Sequence, residues 1–187
     1  IFEGDVIVEN KMAYDLQVPF TDISLMQLGQ PKRGDIIVFS SKESGKRLIK
    51  RLVGLPGDTI EVVNDQLIIN GNFATYKVLP ETDNRIPKMA PDREPGTYAM
   101  ESTDDMDAHI TLIDPSKYNP KRNMPPLTIP EQSYFFMGDN RDNSADSRVY
   151  GVAPRSELRG RAFGILLSAR HLEDWSPRWE RFWTSLY

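Results

Sequence analysis

A run of apolar residues that carries two adjacent cations, Leu48-Ile49-Lys50-Arg51-Leu52-Val53, ends at the turn pair Pro56-Gly57. Such a run reads as a β-strand. Successive side chains of a strand face opposite sides. Leu48, Lys50 and Leu52 therefore share one face, and Ile49, Arg51 and Val53 the other. At least one of the two charges must share its face with apolar neighbours. A lysine held among them loses hydration, and its pKa falls from about 10.4. Burial can bring a lysine to about 7–8, where it can act as a general base. On an edge strand the same lysine would snorkel to water instead.

A second unusual stretch lies far downstream, Gly138-Asp139-Asn140-Arg141-Asp142-Asn143-Ser144-Ala145-Asp146-Ser147-Arg148. Three Asp, two Ser and two Arg are packed there without a break. Gly138 and the two Asn suit tight turns and left-handed backbone. The stretch follows the aromatic run Tyr134-Phe135-Phe136-Met137, so the chain leaves a buried strand and enters a polar corner. Read by itself, the corner is either a solvated loop or a site.

The rest of the pattern is that of a mainly β protein. Residues 35–39, 48–53, 59–63 and 66–70 are β-rich and separated by turn residues. Asn64-Asp65 reads as a two-residue hairpin turn, and Asn70-Gly71 as a second turn. Residues 80–130 are rich in Pro, Asp, Asn and Lys, with short strands expected at 98–101 and 109–113. Strong patterning returns at 133–137 and 160–168. At the C-terminus, Trp175, Trp179, Phe182, Trp183 and Leu186 fall on one face of a short helix, with Pro177 suited to its first turn. That face would either pack on the core or rest on a membrane surface, with Arg178 and Arg181 beside the headgroups.

Composition excludes several classes. The chain has 187 residues, enough for one compact domain with a small insertion. A net charge of −4 argues against nucleic acid as a partner. Without cysteine there are no disulfides and no thiol chemistry. His109 and His171 are the only histidines, which disfavours a histidine triad or a histidine-rich metal site. No stretch approaches the roughly 20 apolar residues of a membrane span.

Three segments together carry a resemblance: the strand around Lys50-Arg51, the corner at 138–148, and Arg33-Gly34-Asp35-Ile36-Ile37-Val38-Phe39. They resemble, in order, the boxes of bacterial type I signal peptidases, the membrane-bound Ser/Lys proteases of the S26 family. Gly4-Asp5, Pro31-Lys32 and Gly151 fit the same pattern. With the strand and turn pattern, the expected fold is a mainly β, signal-peptidase-like catalytic core from 1–78 and 128–187, with an inserted smaller β/loop subdomain at 79–127 and the short C-terminal helix read from the spacing above.

It also implies roles for residues. Lys50 matches the general base, and Ser144 the hydroxyl that orients it. Arg51 with Asp139, and Asp146 with Arg148, match supporting ion pairs. Ile1, Val38 and Ile49 match the walls of shallow substrate pockets. The substrate would be the Ala-x-Ala end of a secretory signal peptide, bound as an added strand. No metal and no other cofactor is implied. The enzyme would sit at the bacterial inner membrane with its catalytic domain on the periplasmic side, so partners would be preprotein signal peptides and a lipid surface.

One element of the family pattern falls outside these residues. The family's nucleophilic Ser lies in a Ser-Met-x-Pro-Thr box just upstream of the Gly-Asp pair, which places the box immediately before Ile1. Ser24 precedes Leu25-Met26, but no Pro-Thr follows, so no serine in the sequence replaces it. The expectation is a base without its nucleophile in this stretch of chain. A catalytically inactive relative that binds signal peptides or a partner is the alternative. A self-cleaving repressor with Ser/Lys chemistry is disfavoured, because no helix-turn-helix or basic face is present.

Overall fold

The computed structural model describes residues 1–17, 24–86, 96–116, 118–170 and 175–187. His171 and parts of the 79–127 stretch, 87–95 and 117, lie outside the described residues. The chain divides into two compact units. The first comprises Ile1–Pro31, Asp35–Ile49 and Ser156–Tyr187, and the second comprises Lys32–Gly34 and Lys50–Arg155. Residues 79–127 belong to the second unit.

The protein is mainly β. The first unit opens with β1 (Asp5–Asn10), β2 (Asp15–Gln17), β3 (Ser24–Gln27) and β4 (Ile36–Ser41). The division falls inside β5 (Lys46–Gly54), between Ile49 and Lys50. The second unit continues with β6 (Thr59–Val63), β7 (Gln66–Ile69), β8 (Asn72–Phe73), β9 (Thr75–Val78), β10 (Thr97–Thr103) and β11 (Met106–Ile113). It ends with β12 (Met124–Thr128), β13 (Ser133–Met137), the single-turn helix α1 (Ser147–Tyr150) and β14 (Ala153–Pro154). The chain then returns to the first unit as β15 (Leu158–Ser168) and β16 (Thr184–Ser185). The segments expected as strands around 35–39, 48–53, 59–63, 66–70, 98–101, 109–113, 133–137 and 160–168 are all strands.

In the first unit the sheet order is β1-β15-β4-β5, with β16 against β15. Its apolar face gathers Ile36, Val38 and Ala162, with Ile7, Ile49 and Leu186 packed against them. Ile36 and Val38 are two apart on β4, so the strand period alone puts both on that face.

In the second unit the strands run β5-β13-β14, β12-β6-β7-β8 and β11-β10-β9. Asn64 and Asp65 both have positive φ, 50° and 67°, as a hairpin turn that follows the sheet twist requires. Val63 then pairs with Gln66, which sets the register of β6 on β7. Asn70 and Gly71 repeat the device, with Ile69 paired to Asn72. The core formed this way includes Val53, Ile60, Leu67, Ile129 and Phe135, all fully buried.

The C-terminus departs from expectation. Residues 175–186 do not form a helix. One three-residue 3-10 turn, Trp179–Arg181, is followed by β16. Trp175 and Trp183 have φ of 60° and 57°, left-handed backbone that a right-handed helix cannot contain. Among the described residues no helix is long and apolar enough to cross a membrane.

Candidate active site

Lys50 lies on β5, half-buried, with Leu52 and Val53 fully buried just beyond it. Burial holds its amine below the ordinary lysine pKa. The carboxylates of Asp146 and Asp139 oppose that shift, while the cations of Arg148 and Lys121 add to it.

The corner after β13 is built by the backbone. Asp146 caps α1, accepting from the Arg148 N–H at 3.1 Å. The same carboxylate accepts from the Gly138 N–H at 2.9 Å, and from the Arg148 guanidinium at 2.9 and 2.8 Å. Arg148 also donates to the Arg141 carbonyl at 2.7 Å. Both side chains of this pair are shielded from water, at 1% and 0% exposure. Burial alone would raise the Asp146 pKa, but Arg148 and the Gly138 N–H outweigh it and keep the carboxyl ionised. The Phe136 N–H donates to Ser147 Oγ at 2.9 Å, which ties the helix start to β13.

Ser144 is buried in this corner, and its hydroxyl has no partner at hydrogen-bond geometry. It still lies close enough to Asp146 to help hold that carboxyl ionised. Gly138 makes room for it. A Cβ on Gly138 would sit 2.2 Å from Ser144 Oγ and 2.5 Å from Ser144 Cβ.

Arg51 and Asp139 form a two-pronged ion pair, both contacts at 2.9 Å, and Arg51 also donates to the Gly34 carbonyl at 3.0 Å. Burial opposes ionisation of Asp139, and Arg51 overcomes it, so the carboxyl is held below its usual range. The structure thus brings together both expected pairs, Arg51 with Asp139 and Asp146 with Arg148. Lys50, Ser144 and these four residues all belong to the second unit. Ile1, Val38 and Ile49 belong to the first unit. Val38 and Ile49 pack in its apolar cluster, whereas Ile1 is exposed.

Two groups of residues were not anticipated from sequence. One is a buried polar cluster in which Arg141 donates to Glu101 at 2.6 Å and the Tyr76 hydroxyl donates to the same carboxylate. His109 Nε2 lies 3.5 Å from Glu101 and 3.9 Å from Asp139. Burial and the Arg51 charge both push the His109 pKa down, so the ring stays neutral at pH values where an ordinary histidine takes up its proton. The other is the 3-10 turn Pro120–Arg122, whose Lys121 donates to the Ser144 carbonyl at 2.7 Å. Asn119 before Pro120 is a helix-start signature, and it was the available signal for this turn. Nothing local pointed to its partners. Among the described residues no group of His, Cys, Asp and Glu could hold a metal ion.

This arrangement sets a half-buried lysine with a lowered pKa in one unit with a buried, unbonded serine hydroxyl and two ion pairs. The family model described as signal peptidase, peptidase S26, matches residues 1–167. The chain therefore belongs to the signal peptidase S26 family. It is 34% identical over 183 residues to signal peptidase I of Pseudomonas aeruginosa, covering 88% of this chain and 59% of that protein. It is 31% identical over 206 residues to signal peptidase I of Buchnera aphidicola subsp. Schizaphis graminum, covering 93% of this chain and 66% of that one. The chain thus spans between 59% and 66% of the length of these curated relatives. A solved signal peptidase I from Enterococcus faecalis is similar over 71% of this chain and 96% of its own, at 29% identity and a TM-score of 0.43.

Proposed function

We propose that this chain is the catalytic part of a peptidase that removes signal peptides from exported proteins, with Lys50 as general base and Ser144 as the hydroxyl that orients it. The observation that carries this reading is the Lys50 amine, depressed by burial on β5 and sharing its neighbour Asp146 with the unbonded Ser144 hydroxyl. The nucleophile in this Ser/Lys chemistry is a serine hydroxyl. Its oxygen attacks the scissile carbonyl carbon while its proton passes to the neutral Lys50 amine. The ammonium so formed then gives that proton to the departing amine. The two ion pairs hold the strand and the corner in place while Lys50 and Ser144 act.

The substrate in this reading is an extended signal-peptide end with small side chains. Ile1, Val38 and Ile49 would line shallow pockets that larger side chains could not enter. A place at the outer face of the bacterial inner membrane follows from such a substrate. Exposure of the three tryptophans, 69%, 71% and 78% for Trp175, Trp179 and Trp183, supports contact with a lipid surface. The expected help from Arg178 and Arg181 is absent. Arg178 is buried against the Glu3 and Ala169 carbonyls, and Arg181 is paired with Asp5 at 2.6 Å. Binding would therefore rest on the aromatic side chains.

Cleavage of a signal-peptide substrate by the whole protein tests the base. Lys50→Met should lower turnover by roughly 100- to 10,000-fold with the fold intact. Lys50→Arg should fail as well, because a guanidinium does not deprotonate near neutral pH. Ser144→Ala should cost far less than either. Undiminished cleavage by folded Lys50→Met would overturn the assignment.

A further inference from the structure

Lys121 stands out among the residues that the proposed chemistry leaves without a role. It sits on the 3-10 turn Pro120–Arg122, and its ammonium is 2.7 Å from the backbone carbonyl of Ser144. The turn around it is clamped onto the corner at several further points. The Asn119 amide donates to Asp142 at 2.8 Å, and the Arg122 guanidinium reaches the same carboxylate at 3.2 Å. The Asp114 N–H donates to the other oxygen of Asp142 at 2.6 Å. Arg122 also donates to the Asp114 carbonyl at 2.6 Å. Asp142 is thus held two residues before Ser144, and Lys121 grips Ser144 itself. All of these groups lie in the second unit.

We propose that Lys121 is a positioning residue for the Lys50 site, holding Ser144 by its carbonyl and keeping a second cation near the Lys50 amine. This rests on Lys50 being the base. Among the charges acting on Lys50, Asp146 and Asp139 favour its ammonium, while Arg148 and Lys121 disfavour it. Arg148 is fully engaged by Asp146, and both are buried. Among the described residues Lys121 meets no carboxylate: its ammonium donates to the neutral Ser144 carbonyl, and its own N–H donates to the Asn119 side chain. Its charge is therefore the less compensated of the two. Repulsion between like charges favours the form of Lys50 that can accept a proton. One side chain then serves two ends: it fixes the corner that carries the orienting hydroxyl, and it favours the neutral amine.

The test reads the protonation of Lys50 directly. The rate of acetylation at Lys50 is followed by peptide mass spectrometry against pH, in the unaltered chain and in variants. Lys121→Met removes the charge, so the midpoint for Lys50 should move to higher pH. Lys121→Arg keeps the charge and should leave the midpoint close to that of the unaltered chain. Cleavage by the whole protein carrying Lys121→Met should fall near neutral pH and recover as the pH is raised, which loss of packing alone would not produce. Lys121→Gln supplies the same reading should the methionine variant not fold. An unchanged midpoint in a folded, charge-free variant would overturn the proposal. So would an equal shift in Lys121→Arg and Lys121→Met. Neither result touches the base assignment, which stands or falls with Lys50→Met.

Discussion

The corner at 138–148 and the C-terminal stretch at 175–187 invert the usual relation between residue type and burial. The corner is dominated by charged and hydroxyl side chains, yet Arg141, Ser144, Asp146 and Ser147 are buried. The C-terminal stretch carries three tryptophans, and all three stand in solvent. The difference lies in partners. Asp146 accepts from two backbone N–H groups and a guanidinium, so its burial leaves little unsatisfied. The tryptophans stay mostly exposed, and even Trp179, which tilts against Phe182 with ring centroids 4.9 Å apart, is 71% exposed. A buried charge is tolerable when it is paired and hydrogen-bonded, and an aromatic side chain is buried only where the fold supplies a face for it.

The sharpest way to break that comparison is to remove one partner from the corner. Asp146→Ala leaves Arg148 buried and uncompensated and strips the cap from α1, and it should cost about 3–5 kcal/mol in denaturant unfolding. A loss below about 1 kcal/mol would mean that the pair is not what keeps the corner buried. Gly138→Ala should follow. Its new methyl collides with Ser144, which should cost about 1–3 kcal/mol, and it should lower turnover at least as much as Ser144→Ala.

Acid sensitivity is a smaller effect of the same origin. The folded-state pKa of Asp146 lies below its ordinary value of 3.8. The unfolded chain therefore binds the proton first, and the contribution is complete above that value and lost as pH falls through the folded one. Thermal unfolding followed from about pH 5 down to about pH 2 should show the loss, and Asp146→Asn should flatten that part of the profile. The smallest effect is expected at the other region. Replacing Trp175 and Trp183 by Ser together should change stability by no more than about 0.5 kcal/mol. It should nonetheless weaken the blue shift of tryptophan fluorescence on titration with anionic vesicles. A large loss of stability would show that this stretch is held by the core after all.

The sequence by itself determined what is short in range. The strands follow from alternation, and the hairpin at Asn64-Asp65 follows from two residues that tolerate positive φ next to each other. The position of Lys50, a cation inside an apolar strand, was legible in the same way. The ion pair between Arg51 and Asp139 was legible through the resemblance of the boxes and not through spacing, since 88 residues separate the two. The tertiary structure alone decided the rest. It placed Lys121 on the carbonyl of Ser144 across 23 residues, and Arg141 on Glu101 across 40. It also turned the expected C-terminal helix into a 3-10 turn and a short strand on β15. Backbone preference and hydrophobic period act over a few residues. Which charge meets which carbonyl, and whether an aromatic face finds a cover, depends on elements that touch only after the sheets have formed.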